Sequence, residues 1–202
     1  MAKKTPIEAM LEDLLYQSLE TELGGVKIYE TALACAVNDD LREESQEYCD
    51  ETRTHAEEMV RLLGAFGLDP AAQPPSRAVV GGIGIALVEA MKKAKATLTA
   101  EQAELVACES VVLAETKDHS NWELLAFIAK EGTHPQPDAL KVAVEEVEGD
   151  EDHHPYNTKG WCRELWIQAL GFPAVLPPPE EIKQVETAIG AARAEQSREA
   201  ML

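Results

Sequence analysis

Positive charge is scarce in this chain: 18 Lys and Arg stand against 37 Asp and Glu, a formal net charge of −19 over 202 residues. A surface so acidic repels phosphate backbones and anionic bilayers, which argues against nucleic acid or a membrane surface as partner. No apolar run approaches the length of a membrane-spanning helix. The N-terminus, Met-Ala-Lys-Lys-Thr-Pro, has two lysines with no apolar stretch behind them, so no secretory signal is expected. Cys35, Cys49, Cys108 and Cys162 lie far apart with no C-x-x-C pair, which excludes a disulfide framework, a zinc knuckle or a rubredoxin-type iron centre. They read as small apolar core residues of a cytoplasmic protein. Alternating apolar and polar runs are also missing, so strands are not expected.

What is present is helix after helix. Apolar residues make up 45% of a chain long enough for one domain with a real core. Thr5-Pro6 opens a first helix that should reach about Val37 and stop at Asn38-Asp39-Asp40. A second, from about Asp40 to Phe66, ends at Gly67, and Pro70, Pro74 and Pro75 keep it from resuming. A shorter helix, about Arg77 to Ala96, opens on a glycine-rich apolar run. Thr99 caps a third long helix to about Lys130, with Glu101 and Glu104 set against its dipole. After the loop from Gly132 to Pro137, Asp138 is expected to cap a fourth. Gly149 and Pro155 should bend or break that fourth helix. Residues 1–171 then form an all-α four-helix bundle with one long crossover. Residues 172–202 add a Pro-rich connector and an amphipathic helix, about Glu180 to Ala200, with Ile182, Val185 and Ile189 on one face.

Polar residues interrupt the apolar stripes at corresponding places. Leu15, Glu22 and Tyr29 lie seven apart, almost two turns, and so share a face. Cys108, Glu115 and Trp122 repeat that spacing in the third long helix, with Asp118 one turn beyond Glu115. In the fourth, Glu151-x-x-His154 interrupts the stripe from Leu140 to Leu165, and Glu148 stands one turn earlier. In the second, His55 falls on the stripe with Glu51 and Glu58 on its border. Each residue alone has a plainer reading, as a border carboxylate reaching solvent or a hydrogen-bonded core histidine. His119, His134 and His153 read as surface or loop residues. Taken together, inward carboxylates and imidazoles on four helices need compensation, and a metal pair supplies it; oxygen and imidazole ligands suit iron or manganese.

This constellation resembles the ferritin-like carboxylate-bridged di-metal superfamily, which takes one Glu from each of two helices and Glu-x-x-His from each of the other two. The resemblance covers about Pro6 to Leu170 and implies a rubrerythrin- or ferritin-like bundle. It places Glu22 and Glu115 at the single-Glu positions and Tyr29 and Trp122 at the aromatic ones. Glu151 and His154 fill one Glu-x-x-His. The second helix departs from the pattern, because Thr52 stands three before His55; Glu51, Glu58 or neither completes that side. Glu51-Thr52-x-x-His55 followed by Arg61-Leu62 also resembles a stress-associated ferritin-like family of poorly defined role.

The resemblance implies a di-metal oxidoreductase holding two iron ions, or manganese, through Glu22, His55, Glu115, Glu151, His154 and Glu51 or Glu58. Asp118 or Glu148 would be a shuttling ligand, and Tyr29 and Trp122 would support the ligands from outside. Oxygen or peroxide would be the oxidant, in a ferroxidase or peroxidase reaction that draws on a separate electron donor. Two other readings stay open. One is a metal-poor bundle that works by association. The other is an oxygenase for a small organic molecule, with Gly24, Gly25 and Gly81-Gly82-Ile83-Gly84 shaping its cavity. A homodimer is the default assembly.

Overall fold

The computed structural model describes residues 5–132, 134–179 and 196, and these contain helices and turns but no strand. Five helices follow in order: α1 (Pro6–Cys35), α2 (Asp39–Ala65), α3 (Pro75–Thr97), α4 (Ala100–Glu131) and α5 (Pro137–Ala169). The four long ones are those expected, and α3 is the short helix of the crossover. Apart from residue 196, the amphipathic helix expected after Pro179 lies outside the described residues. No described helix is long and apolar enough to cross a membrane.

Side chains at the helix ends explain the boundaries. Thr5 with Glu8, and Thr99 with Gln102, form reciprocal capping boxes at the starts of α1 and α4. Gly132 ends α4 with φ +62°, a left-handed turn that suits a residue without Cβ. Two expectations for α5 need correction. Its cap is Gln136, which makes no side-chain capping bond, and Asp138 lies inside the first turn. Nor does the helix break at Pro155, for it continues to Ala169. Proline has no amide to offer the Glu151 carbonyl four residues back. His119 of α4 fills the vacancy, its Nδ1 donating to that oxygen at 2.7 Å. His119 is therefore half-buried between two helices rather than a surface residue.

Packing follows a closed ring. α1 lies against α2 and α4, α5 lies against the same two, and the diagonal pairs meet only through side chains that reach the centre. All ring neighbours are antiparallel, as the cross-helix pairs show. Arg53 reaches Glu30, Arg61 reaches Glu146, Trp166 reaches Glu109, and Trp122 reaches Glu22. α3 packs on α1 and α4, running parallel to α1: Arg77 Nε donates to Glu20 at 2.8 Å and Lys95 to the Ala34 carbonyl. It carries the chain back along the bundle, so α4 starts beside the α1–α2 turn. There Glu104 Oε1 accepts from the amides of Val37 at 2.6 Å and Asn38 at 2.7 Å, a role beyond the helix-dipole one expected of it. α1 and α3 pass each other at Gly24 and Gly84, where a Cβ at 84 would sit in ordinary contact, 3.6 Å from the Gly24 Cα.

The apolar core is divided. One part gathers Leu11, Leu15, Leu19, Met59, Leu63, Leu125 and Leu140. The other end holds Ile28, Cys49, Met91 and Val111, with Leu41, Leu105, Trp161 and Leu165 beyond. Burying each Leu stabilises the fold by about 1.5–3 kcal/mol, so both parts contribute heavily. Between them lies a layer that is not apolar at all.

Candidate metal centre

That layer takes residues from all four long helices. α1 brings Glu22, α2 brings His55, α4 brings Glu115 and Asp118, and α5 brings Glu151 and His154. None is more than 5% exposed. The seven-residue spacings place them: Leu15 and Tyr29 flank Glu22 on the buried face of α1, as Cys108 and Trp122 flank Glu115 on α4. Desolvating so many ionisable groups is costly without partners.

Glu22, His55 and Glu151 form the tightest group, each offering a ligand atom within 4.8 Å of the others. Trp122 Nε1 donates to Glu22 Oε1 at 2.7 Å, which leaves Oε2 free. His55 turns Nδ1 inward, 3.1 Å from Glu151 Oε1, and bonds Asp150 through Nε2 at 3.1 Å. His154 repeats the arrangement. Its Nδ1 lies 3.6 Å from Glu115 Oε2, and its Nε2 bonds Glu51 at 2.7 Å. The two imidazoles stack with centroids 5.7 Å apart. Tyr48 covers the outer face of His154 at 4.3 Å and takes a hydrogen bond from Asn157.

Electrostatics within the layer are strained in one direction. Burial, then the charges of Asp118 and Glu151, push the Glu22 carboxyl well above the usual carboxylate range, against the Trp122 bond. Burial, with Asp118 and Glu115 nearby, does the same to Glu151. Asp118 is pushed up to about 8, by burial and by Glu115. Burial also raises the Tyr29 hydroxyl, and Glu115 adds to the effect. The histidines diverge. Burial and the neighbouring His154 lower His55, whereas at His154 burial is outweighed by the bonds it donates to Glu115 and Glu51, which bring it up to about 9.

The residues singled out from the sequence separate into two sets. Glu22, His55, Glu115, Asp118, Glu151 and His154 come together, with Tyr29 and Trp122 against them. Glu51 stands at the outer nitrogen of His154. Glu58 is held instead by Arg61, and Glu148 is exposed on α5. Thr52 packs its methyl 3.1 Å from where a Gly25 Cβ would lie, so position 52 faces α1 rather than the layer. Gly24 and Gly84 do border a hollow of about 230 Å³, but none of the six clustered residues lines it. Asp150 was not foreseen; it sits in the acidic run beginning at Glu145, where no periodicity marks it out. Tyr48 and Asn157 were equally hidden, Tyr48 because it sits on an ordinary apolar stripe.

Among the described residues, ten buried side-chain N or O atoms lack a well-formed hydrogen bond, and seven belong here: Glu22 Oε2, Tyr29 OH, His55 Nδ1, Glu115 Oε2, Asp118 Oδ1 and both Glu151 oxygens. Buried polar atoms are normally satisfied, so the carboxylate and imidazole atoms converging here from four helices fit a cation as partner, with the Tyr29 hydroxyl beside them. Carboxylate and imidazole donors suit iron, manganese or zinc, and no thiol stands among them. Comparison of the chain with protein-family models, with curated proteins and with solved structures finds no match.

Proposed function

We propose that the protein is a ferritin-like di-metal oxidoreductase, in which Glu22, His55, Glu115, Asp118, Glu151 and His154 hold two iron or manganese ions. The convergence of buried carboxylates and imidazoles from four helices carries this reading, because a shared cation offsets the cost of burying so many acidic groups together. Such a pair, when bound, supplies ferrous iron oxidation with oxygen or peroxide as electron acceptor.

The chain's own residues orient and neutralise. Trp122 fixes one Glu22 oxygen and so aims the other inward. Asp150 and Glu51 each accept from the outer Nε2–H of a histidine, which fixes the tautomer that turns Nδ1 to the centre. The Tyr29 phenol stays protonated beside Glu115 and has a proton to donate to it. Leu15, Leu19 and Met59 on one side, and Ile28 and Cys49 on the other, keep bulk water out.

Elemental mass spectrometry on protein incubated anaerobically with ferrous iron or Mn²⁺ tests the reading. Two ions per chain are expected. Near-zero metal would leave a bundle that works by association, and a partner search would follow.

A further inference from the structure

A small hollow of about 70 Å³ opens between α4 and α5, and Glu151 lines its floor beside Trp122. Neither the groove between the ends of α1 and α4 nor the hollow beneath α3 is lined by any clustered residue. Glu151 is 3% exposed, and both its oxygens lack a hydrogen bond. The same carboxylate thus borders the hollow and belongs to the innermost group with Glu22 and His55.

The mouth is built from Glu123, Glu148, Asp152 and His119. His119 commits its Nδ1–H to the Glu151 carbonyl, so Nε2 is the ring atom left for the mouth. That nitrogen lies 3.4 Å from Glu123 Oε1. Carboxylates with one imidazole form a donor set for divalent transition ions, and a net charge of −19 draws such ions in from solution.

We infer that this hollow is the loading route of the buried centre, with Glu123, Glu148, Asp152 and His119 Nε2 as an outer docking site for a divalent cation that Glu151 then passes inward. The inference rests on the di-metal reading above. It gives the mouth residues a kinetic role, distinct from holding the resident ions.

The test follows loading of metal-free protein with Co²⁺ in a stopped-flow instrument, by the visible absorption of the bound ion, with stoichiometry measured at the endpoint. Glu123→Gln/Glu148→Gln is compared with Glu43→Gln/Glu47→Gln, a pair on the exposed face of α2 with the same change in charge. The first double variant should load about tenfold more slowly or worse, the low end of electrostatic focusing. The second should load as the native chain does, and both should reach the native stoichiometry. An unchanged rate in the first, or equal slowing in both, overturns the route and leaves the centre standing. A lower endpoint in the first variant overturns it too, by making the mouth residues resident ligands. If the native chain takes up no Co²⁺, both route and centre fall.

Discussion

His55 and His154 stack at 5.7 Å with their rings 24° from parallel, and each is gripped the same way. Each turns Nδ1 toward a buried glutamate and Nε2 toward a partly exposed carboxylate, Asp150 for one and Glu51 for the other. The matched grip spans two helices and two different sequence settings. It follows from the geometry of the layer rather than from a repeated motif.

Asp150 and Glu51 orient the histidines from outside. Asp150→Asn and Glu51→Gln should therefore weaken metal binding by about 10–100-fold each while keeping two ions per chain at saturating metal. Competition against a chelator of known affinity measures this. A stoichiometry reduced by one in Glu51→Gln would show that Glu51 is itself a ligand.

Residues that hold the ions directly should behave differently. Glu115→Ala and His154→Ala should each lose at least one ion, read by elemental analysis after gel filtration. Glu22→Gln, which keeps an oxygen for Trp122 and adds no charge, should also lose metal. In metal-free protein it should leave stability at least at the native level, because burial already favours the uncharged form of Glu22. Full metal content in all three would sink the buried-ligand assignment.

Stability of the metal-free protein should fall as pH rises from about 6.5 to 9. Asp118 binds its proton more tightly folded than unfolded, so its stabilisation is complete at acid pH and is lost as pH climbs through about 8. His154 acts in the same sense between its unfolded value and about 9. His55 is shifted the other way, so it opposes the trend only at lower pH. Thermal unfolding in the presence of chelator follows the decline, and Asp118→Asn should flatten it. Saturating Mn²⁺ should reverse the slope, because the metal displaces those protons.

The bond from His119 to the Glu151 carbonyl exists because Pro155 has no amide to give. His119→Leu should destabilise the protein by about 1–3 kcal/mol, the cost of leaving a buried carbonyl unmet. Pro155→Ala restores an amide at that place, so the same histidine substitution should cost far less in its background. A double-mutant cycle by urea unfolding measures the coupling. Additive effects would mean that the proline and the histidine are unrelated.

Much of this was legible in the sequence, and the reason is periodicity. Leu15, Glu22 and Tyr29 declare their shared face by spacing alone, and Glu151-x-x-His154 does the same. The helix limits followed from Thr5, Thr99, Gly67 and Gly132, whose side chains or lack of one decide them locally. Choosing between Glu51 and Glu58 was beyond such reading, because both flank His55 at helical spacing and only a neighbour, Arg61 or His154, decides which turns where. The continuity of α5 through Pro155 was hidden for the same reason: its rescue comes from another helix, 32 residues away in sequence.

The return path of α3 gives the molecule two antiparallel hairpins, α1–α2 and α4–α5, each carrying part of the acidic layer. The first contributes Glu22, Glu51 and His55; the second contributes Glu115, Asp118, Asp150, Glu151 and His154. Neither hairpin can complete the layer alone, and their like charges resist the final docking. Joining the halves therefore requires that positive charge be taken up at the seam, and the protons that Asp118 holds to about pH 8 and His154 to about pH 9 supply it near neutrality. The docking of one hairpin on the other would thus be the step of folding that alkaline solution opposes most.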